Sequence, residues 1–174
     1  VRIFFGKGQI SKIATQIPAG SRVMLLYGGG SIQRNGVYQK VKNALERFDV
    51  TDFGGIEPNP TYETCMKAVE IIRENNIGFL LAVGGGSVID ATKFIAAASR
   101  YRFGDPWNIL AKNMPVVDAV PLGTVLTLPA TGSEMNSNSV ISRKSTEEKL
   151  AFGSPMVFPK FSFLLPEAAG SLPK

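Results

Sequence analysis

The chain has 174 residues, of which 44% are hydrophobic and 19% are charged, a composition ordinary for one globular domain with a sizeable core. Its net charge of +5 comes from dispersed lysines and arginines, so we expect no nucleic-acid surface. The longest uncharged stretch, 119–133, is broken by prolines and glycines and is too short to span a bilayer. We therefore expect neither a nucleic-acid nor a membrane partner.

Two residue counts limit the chemistry of the chain. It has no histidine, which excludes a histidine base, a Ser-His-Asp triad and a histidine metal site within it. Its single cysteine, Cys65, cannot form an internal disulfide. A reducing compartment is therefore indicated, and we expect a cytoplasmic location.

The first predicted unit is a strand, a glycine turn and a helix. The apolar run 23–27 is typical of a strand buried on both faces of a parallel sheet. The turn Gly28-Gly29-Gly30-Ser31 follows it, and then a helix that places apolar positions 37, 41, 44, 45 and 48 on one face. The proline-rich segment 57–60 predicts a loop, after which Thr61 caps a second helix.

The second unit repeats the first. The buried strand 79–83 leads into Gly84-Gly85-Gly86-Ser87 and an alanine-rich helix over 87–100. We predict Ser87 as the N-cap of this helix, with Asp90 completing an acidic capping box. Residues 120–128 predict another strand.

The remaining segments predict shorter strands. Residues 139–142 and 149–152 predict a β-hairpin, and 156–158 and 161–165 add further strands. Alternating strands and helices predict an α/β fold, a doubly wound, mostly parallel, Rossmann-like sheet with a β-hairpin near the C-terminal end. We interpret residues 1–174 as one dinucleotide-binding domain.

The glycine turns indicate phosphate binding. Glycine lets the backbone approach an anion closely, and a helix N-terminus offers free N–H groups and a positive dipole end. Two copies favour one extended ligand with more than one phosphate, such as a dinucleotide. Two alternatives stay open: the first turn is a surface turn capped by Ser31, and the second is only a helix cap.

The first turn carries no acidic residue of the kind that accepts hydrogen bonds from the ribose of NAD. Glycine N–H groups, Ser31 and Arg34 suit a 2′-phosphate instead. Thr127 and Thr131 follow a strand end, where ligands bind in open α/β sheets, although an ordinary Ser/Thr turn has the same composition. Lys149 is placed to pair with a ribose or phosphate, or is a solvated charge.

In this order, the motifs resemble the N-terminal half of the iron-containing alcohol dehydrogenases, closest to the NADP-dependent butanol dehydrogenase and aldehyde reductase branch. The residues that carry the resemblance are Phe5-Gly6-Lys7-Gly8, Tyr27-Gly28-Gly29-Gly30-Ser31, Gly36-Val37-Tyr38, Glu57-Pro58-Asn59-Pro60, 84–90 and 127–136. The resemblance implies an NADP site with four parts. Gly29, Gly30 and Ser31 would hold the 2′-phosphate and its ribose, and Asn59 would lie near the adenine. Gly85, Gly86 and Ser87 would hold the pyrophosphate. The nicotinamide and its ribose would be surrounded by Asp90, Thr127, Thr131, Asn136 and Lys149.

The resemblance also implies a divalent metal, Fe or Zn, bound by a C-terminal helical domain that this chain lacks. No catalytic or metal-binding residue is then expected here, and the fragment alone should be inactive. The full-length protein should act on a small alcohol or aldehyde and form a homo-oligomer, a dimer. Two alternatives remain: a stand-alone nucleotide-binding module, and an NAD-dependent relative of glycerol dehydrogenase or dehydroquinate synthase.

Overall fold

A computed structural model describes residues 1–127 and 135–165 of the chain. The strands in these residues are β1 (Arg2–Phe5), β2 (Arg22–Tyr27), β3 (Asp49–Phe53), β4 (Phe79–Gly84), β5 (Leu122–Leu126), β6 (Asn138–Arg143), β7 (Glu148–Gly153) and β8 (Phe161–Leu164). Six of them pair in parallel in the order β1-β8-β5-β4-β2-β3, while β6 and β7 form an antiparallel hairpin. The predicted Rossmann-like sheet with a hairpin is confirmed.

Helices connect these strands. In the described part of the chain they are α1 (Ile13–Gln16), α2 (Ser31–Arg34), α3 (Val37–Ala44), α4 (Tyr62–Asn75), α5 (Gly86–Ser99) and α6 (Asn108–Ala111), with 3₁₀ turns over Lys7–Lys12 and Pro155–Val157.

The central strand β4 is buried along its whole length. Leu80 and Ala82 belong to the core cluster shared with α4 and α5. Phe79, Leu81 and Val83 belong to the cluster shared with α1 and α3. Two-sided burial explains why this strand is a continuous apolar run and not an alternating one.

Two segments depart from the predicted elements. Strand β3 was not predicted, because Asp49, Thr51 and Asp52 interrupt any apolar run; the strand lies at the sheet edge and is only half-buried. The strand predicted over 156–158 is wrong. Ser154 Oγ accepts a hydrogen bond from Met156 N at 3.1 Å and caps a 3₁₀ turn there.

The helix after the first glycine turn is broken and shorter than predicted. Gly36, with φ 81°, separates α2 from α3, and α3 ends at Ala44. Val37, Val41 and Leu45 are nevertheless buried, so the predicted apolar face is retained.

The order of strands fixes where a ligand would lie. β2 pairs with β3 on one side and with β4 on the other. The chain runs from β2 outward to β3 and then returns to β4, so the connections diverge between β2 and β4. In open α/β sheets the carboxyl ends of strands at such a point border the ligand crevice. The two glycine turns follow these two strands.

Candidate functional site

The second glycine turn is closely packed where it leaves the sheet. Gly84 has φ 150°, and a Cβ there would lie 3.0 Å from Val88 Cγ2. Gly85 is the extended N-cap of α5, with φ −104° and ψ −164°, and no side chain among the described residues caps the helix. The first N–H groups of α5 therefore have neither an intrahelical acceptor nor a side-chain cap. This arrangement binds anions.

The capping box predicted from Ser87 and Asp90 is wrong. Because α5 begins at Gly86, Ser87 lies inside the first turn and Asp90 lies in the second. Asp90 Oδ2 instead accepts a hydrogen bond from Val140 N at 3.2 Å, and Ser139 Oγ donates to the Asp90 carbonyl oxygen at 2.7 Å. Asp90 thus attaches α5 to the hairpin.

The first glycine turn lies beside the second, and it is likewise closely packed at its first glycine, where a Cβ on Gly28 would lie 3.1 Å from the Ile56 carbonyl oxygen. A Cβ on Gly28 would lie 3.6 Å from Val88 Cγ2, the side chain that also closes on the second turn. At Gly29 no heavy atom of the described residues comes within 4 Å of the Cβ position. Arg34 Nη1 lies 3.1 Å from the Cβ position of Gly30. An open turn with a guanidinium beside it has room and charge for a phosphate.

The loop before α4 brings two predicted site residues together. Asn59 has φ 55°, a conformation that asparagine tolerates better than most residues. The Glu57 carboxylate shapes the loop by accepting hydrogen bonds from Thr61 N at 3.0 Å and Thr64 Oγ1 at 2.9 Å. Thr61 caps α4, as predicted. Lys149 Nζ, from the hairpin, donates to Asn59 Oδ1 at 3.2 Å.

Two further predicted residues lie beside the second turn and α5. Thr127 is buried, and its backbone N–H donates to the Gly84 carbonyl oxygen at 3.1 Å. Asn136 precedes β6, and its Oδ1 accepts a hydrogen bond from Lys93 Nζ at 2.8 Å. The first contact joins the end of β4 to the residue after β5, and the second joins the start of the hairpin to α5.

The predicted site residues thus lie in the loops and helix starts around the carboxyl edge of β2, β4 and β5, apart from Lys149, which reaches this region from β7. Those in the described part of the chain are Gly29, Gly30, Ser31, Asn59, Gly85, Gly86, Ser87, Asp90, Thr127, Asn136 and Lys149. Thr131 lies outside the described residues. Their individual roles in binding stay predictions.

A cluster around Asp52 was not predicted. The Asp52 carboxylate accepts hydrogen bonds from the Tyr27 and Tyr38 hydroxyls and from Lys42 Nζ, the last at 3.1 Å. The hydrogen bond to Asp52 raises the pKa of Tyr38 to about 12. Burial, and then Asp52, raise the pKa of Tyr27. Asp52 lies near the end of the strand after the first turn, where an acid typically contacts ribose in NAD proteins, but here three donors occupy it.

Lys93 was also missed. Its signal in the sequence is a charge on the apolar face of a helix, four residues from both Ile89 and Ala97. All three residues are fully or almost fully buried.

The described residues offer no support for metal, membrane or thiol chemistry. Residues 1–127 and 135–165 contain no group of three Cys, Asp or Glu side chains able to hold a metal ion. Within the same ranges, every helix is too short or too polar to cross a bilayer. Cys65 lies in the core, and burial raises the pKa of its thiol.

A parallel sheet with two glycine turns at its crossover defines a Rossmann-like α/β protein. The chain belongs to a particular family of that class, the iron-containing alcohol dehydrogenases, whose profile matches residues 1–166. The family resemblance seen in the motifs is confirmed.

Individual relatives match the chain over nearly its whole length. The NADPH-dependent aldehyde reductase YqhD of Escherichia coli (strain K12) is 55% identical, over 99% of this chain and 45% of that protein. A probable NADH-dependent butanol dehydrogenase 1 of Bacillus subtilis (strain 168) is 51% identical over the same shares. A crystal structure of E. coli K-12 YqhD superposes with a TM-score of 0.95 at 54% identity, covering 99% of this chain and 45% of that chain. The chain therefore spans about half the length of these relatives.

Proposed function

We propose that this chain binds NADP(H) and forms the cofactor-binding half of a metal-dependent alcohol dehydrogenase or aldehyde reductase. The observation that carries the proposal is the uncapped N-terminus of α5, located where the chain connections diverge between the neighbouring strands β2 and β4. Doubly wound proteins bind dinucleotides across such a crossover. Membership of the iron-containing alcohol dehydrogenase family supports a nicotinamide cofactor.

The pyrophosphate is assigned to the second glycine turn. The backbone N–H groups of Gly86 and Ser87 lie at the start of a 14-residue helix, so hydrogen bonding and the helix dipole act on the same anion. Gly85 lacks a side chain that would occupy this position. The pyrophosphate would replace the missing cap.

The 2′-phosphate of NADP is assigned to the first glycine turn. Relatives of similar identity bear the names of NADPH-dependent and NADH-dependent enzymes, so similarity alone does not decide between the cofactors. The open space at Gly29 and the Arg34 guanidinium beside Gly30 favour a phosphate. Asp52 does not oppose it, because Lys42 forms an ion pair with the carboxylate and two tyrosine hydroxyls donate hydrogen bonds to it.

The ribose and nicotinamide half is assigned to the residues between the second turn and the hairpin. This group comprises Asp90, Thr127, Thr131, Asn136 and Lys149. When bound, the nicotinamide supplies or accepts the hydride. The role of the protein groups is to orient the ring and exclude water from it, which aligns the reacting atoms.

The described residues do not suit a divalent metal, and we assign no step to one here. In the complete protein, Fe or Zn would require ligands from elsewhere in the chain. We propose a small alcohol or aldehyde as substrate, in keeping with the names of the relatives. We also propose that the complete protein is a cytoplasmic homo-oligomer, and a mass measurement in solution tests the oligomeric state. The alternatives, a stand-alone module or a relative of glycerol dehydrogenase or dehydroquinate synthase, are not favoured by the family match.

The proposal is tested by measuring NADPH and NADH dissociation constants for Gly29→Asp. Space exists for the new side chain, so the fold should tolerate it. A carboxylate there should repel the 2′-phosphate and weaken NADPH binding roughly tenfold or more, equivalent to about 1.4 kcal/mol. NADH binding should change much less.

The matched control is Gly78→Asp. Gly78 also has open space at its Cβ position, and it precedes β4 at the opposite edge of the sheet. This variant adds the same charge far from the crevice and should leave both affinities unchanged. Equal weakening of NADPH and NADH by Gly29→Asp would refute the 2′-phosphate assignment, and a wild-type protein that binds neither cofactor would refute the proposed function.

A further inference from the structure

Lys93 is a buried cation in the middle of the site. Its side chain is fully buried in α5, two helical turns after the second glycine turn. The ammonium donates hydrogen bonds to Asn136 Oδ1 at 2.8 Å and to the Asn138 carbonyl oxygen at 3.0 Å. Burying an ammonium is costly unless its hydrogen bonds are satisfied, and an apolar residue would fill the same helix face at less cost. The position therefore calls for a role beyond packing.

The contacts of Asn136 show what that role is. Asn136 Oδ1 accepts hydrogen bonds from Lys93 Nζ and from Asn138 N, the second at 3.0 Å. Both partners are donors without an acceptor lone pair, so they require the amide oxygen at this position. The amide NH₂ of Asn136 must then face away from Lys93. The orientation of the amide follows from its partners.

A second attachment holds the same segment. Asp90 lies one turn before Lys93 on α5, and it contacts Ser139 and Val140 through both its backbone and its carboxylate. The segment 136–140 is therefore fixed to α5 at two levels. A rigid backbone with a fixed amide can present its NH₂ group without reorganisation when a ligand binds.

We propose that Lys93 is a positioning residue that fixes Asn136 so that its amide NH₂ faces the nicotinamide-ribose half of the cofactor. The inference rests on the proposed function, because it requires a cofactor in this crevice. Asn136 would donate to an oxygen of the bound cofactor, and Lys93 would influence the reaction through Asn136.

The test compares Lys93→Met, Asn136→Ala, Asn136→Asp and the double variant Lys93→Met/Asn136→Ala, in the complete protein that carries this chain. The measurements are the NADPH dissociation constant and the single-turnover rate of butanal reduction. Misplacement of a positioned group typically costs up to about 100-fold in rate, and we expect each single variant to lower the rate at least roughly tenfold. In the Asn136→Ala background, Lys93→Met should add less than about twofold. Lys67→Met, an exposed lysine on α4, is the matched control and should change neither quantity.

Asn136→Asp keeps the proposal testable if Lys93→Met fails to fold. Its carboxylate still accepts from Lys93 but offers no NH₂ group, so it should fold normally and be as slow as Asn136→Ala. A wild-type rate for Asn136→Asp would overturn the donor role. Independent, multiplying effects of Lys93→Met and Asn136→Ala would overturn the coupling. Either result, if NADPH binding is intact, leaves the proposed function standing. Failure of the wild-type protein to bind NADPH would instead refute the proposed function.

Discussion

The two glycine turns share one tetrapeptide sequence and one edge of the sheet, but they lead into different structures. After the first turn, α2 is four residues long and ends before the left-handed Gly36. After the second turn, α5 is 14 residues long and most of its residues are buried. Both turns are open at their second glycine, Gly29 or Gly85, but Gly84 in the second turn also has φ 150° and is packed against Val88.

This difference indicates a division of labour. A long, buried helix provides an aligned dipole and a fixed set of N–H groups, which suit the pyrophosphate common to both nicotinamide cofactors. A single helical turn provides little dipole, but its open surface admits a group that only one cofactor carries. Under the proposed binding mode, the element after the turn, not the turn sequence, therefore decides whether glycine serves affinity or specificity.

The largest expected effect is that of Gly85→Asp. Gly85 has the extended backbone of an N-cap and open space at its Cβ position, so aspartate should cap α5 with its own carboxylate. The protein should gain about 0.5 kcal/mol of stability. Binding of NADPH and NADH should weaken alike, by roughly 100-fold, because the carboxylate occupies the pyrophosphate position and repels the pyrophosphate.

Titration of both cofactors, with urea unfolding in parallel, checks this prediction. Gly85→Asn is the control, because it caps the helix without a charge and should weaken binding less. Selective loss of NADPH alone would reverse the roles assigned to the two turns.

The second prediction compares alanine at the two turns. Gly84→Ala places a Cβ 3.0 Å from Val88 in a backbone conformation with φ 150°. We expect it to lower the free energy of unfolding by about 1–3 kcal/mol. Gly29→Ala meets no atom of the described residues and should stay within about 0.5 kcal/mol of the wild type. Similar losses in urea unfolding would contradict the packing difference.

The sequence alone predicts the central part of the fold well. Strands β2 and β4 contain continuous apolar runs because helices cover both of their faces, and Thr61 caps α4 as its residue type indicates. Edge strand β3 escapes prediction because Asp49, Thr51 and Asp52 give it no apolar pattern. Its strand character comes from pairing with β2, which depends on the tertiary fold.

In the candidate site too, local features are predictable from the sequence and tertiary contacts are not. Glycine turns are visible in the sequence, because their backbone requirements are local. The Lys93–Asn136 and Lys149–Asn59 contacts join residues far apart in the chain, and no local pattern specifies them. The capping box at Ser87 and Asp90 fits local preferences, but Asp90 serves the hairpin instead, so a tertiary contact outweighs a local one.

The smallest expected effect concerns the surroundings of the first turn at high pH. The hydrogen bond to Asp52 raises the pKa of Tyr38 to about 12, from an ordinary value of 10.0. Because the pKa is higher in the folded state, the stabilisation is fully present below pH 10 and is lost as the pH rises through about 12. Tyr38→Phe should cost about 1 kcal/mol at neutral pH, and this cost should shrink between pH 10 and 12.

Urea unfolding of the wild type and Tyr38→Phe at several pH values measures the effect. Tyr62 is the internal reference: its pKa is also raised to about 12, mainly by burial and then by Asp105, and it titrates equally in both proteins. Subtracting the two stability curves therefore isolates Tyr38. A difference that stays constant up to pH 12 would show that Tyr38 does not depend on Asp52. The carboxylate would then be compensated by Lys42 and Tyr27 alone, and a 2′-phosphate near the first turn would meet more negative charge than we propose.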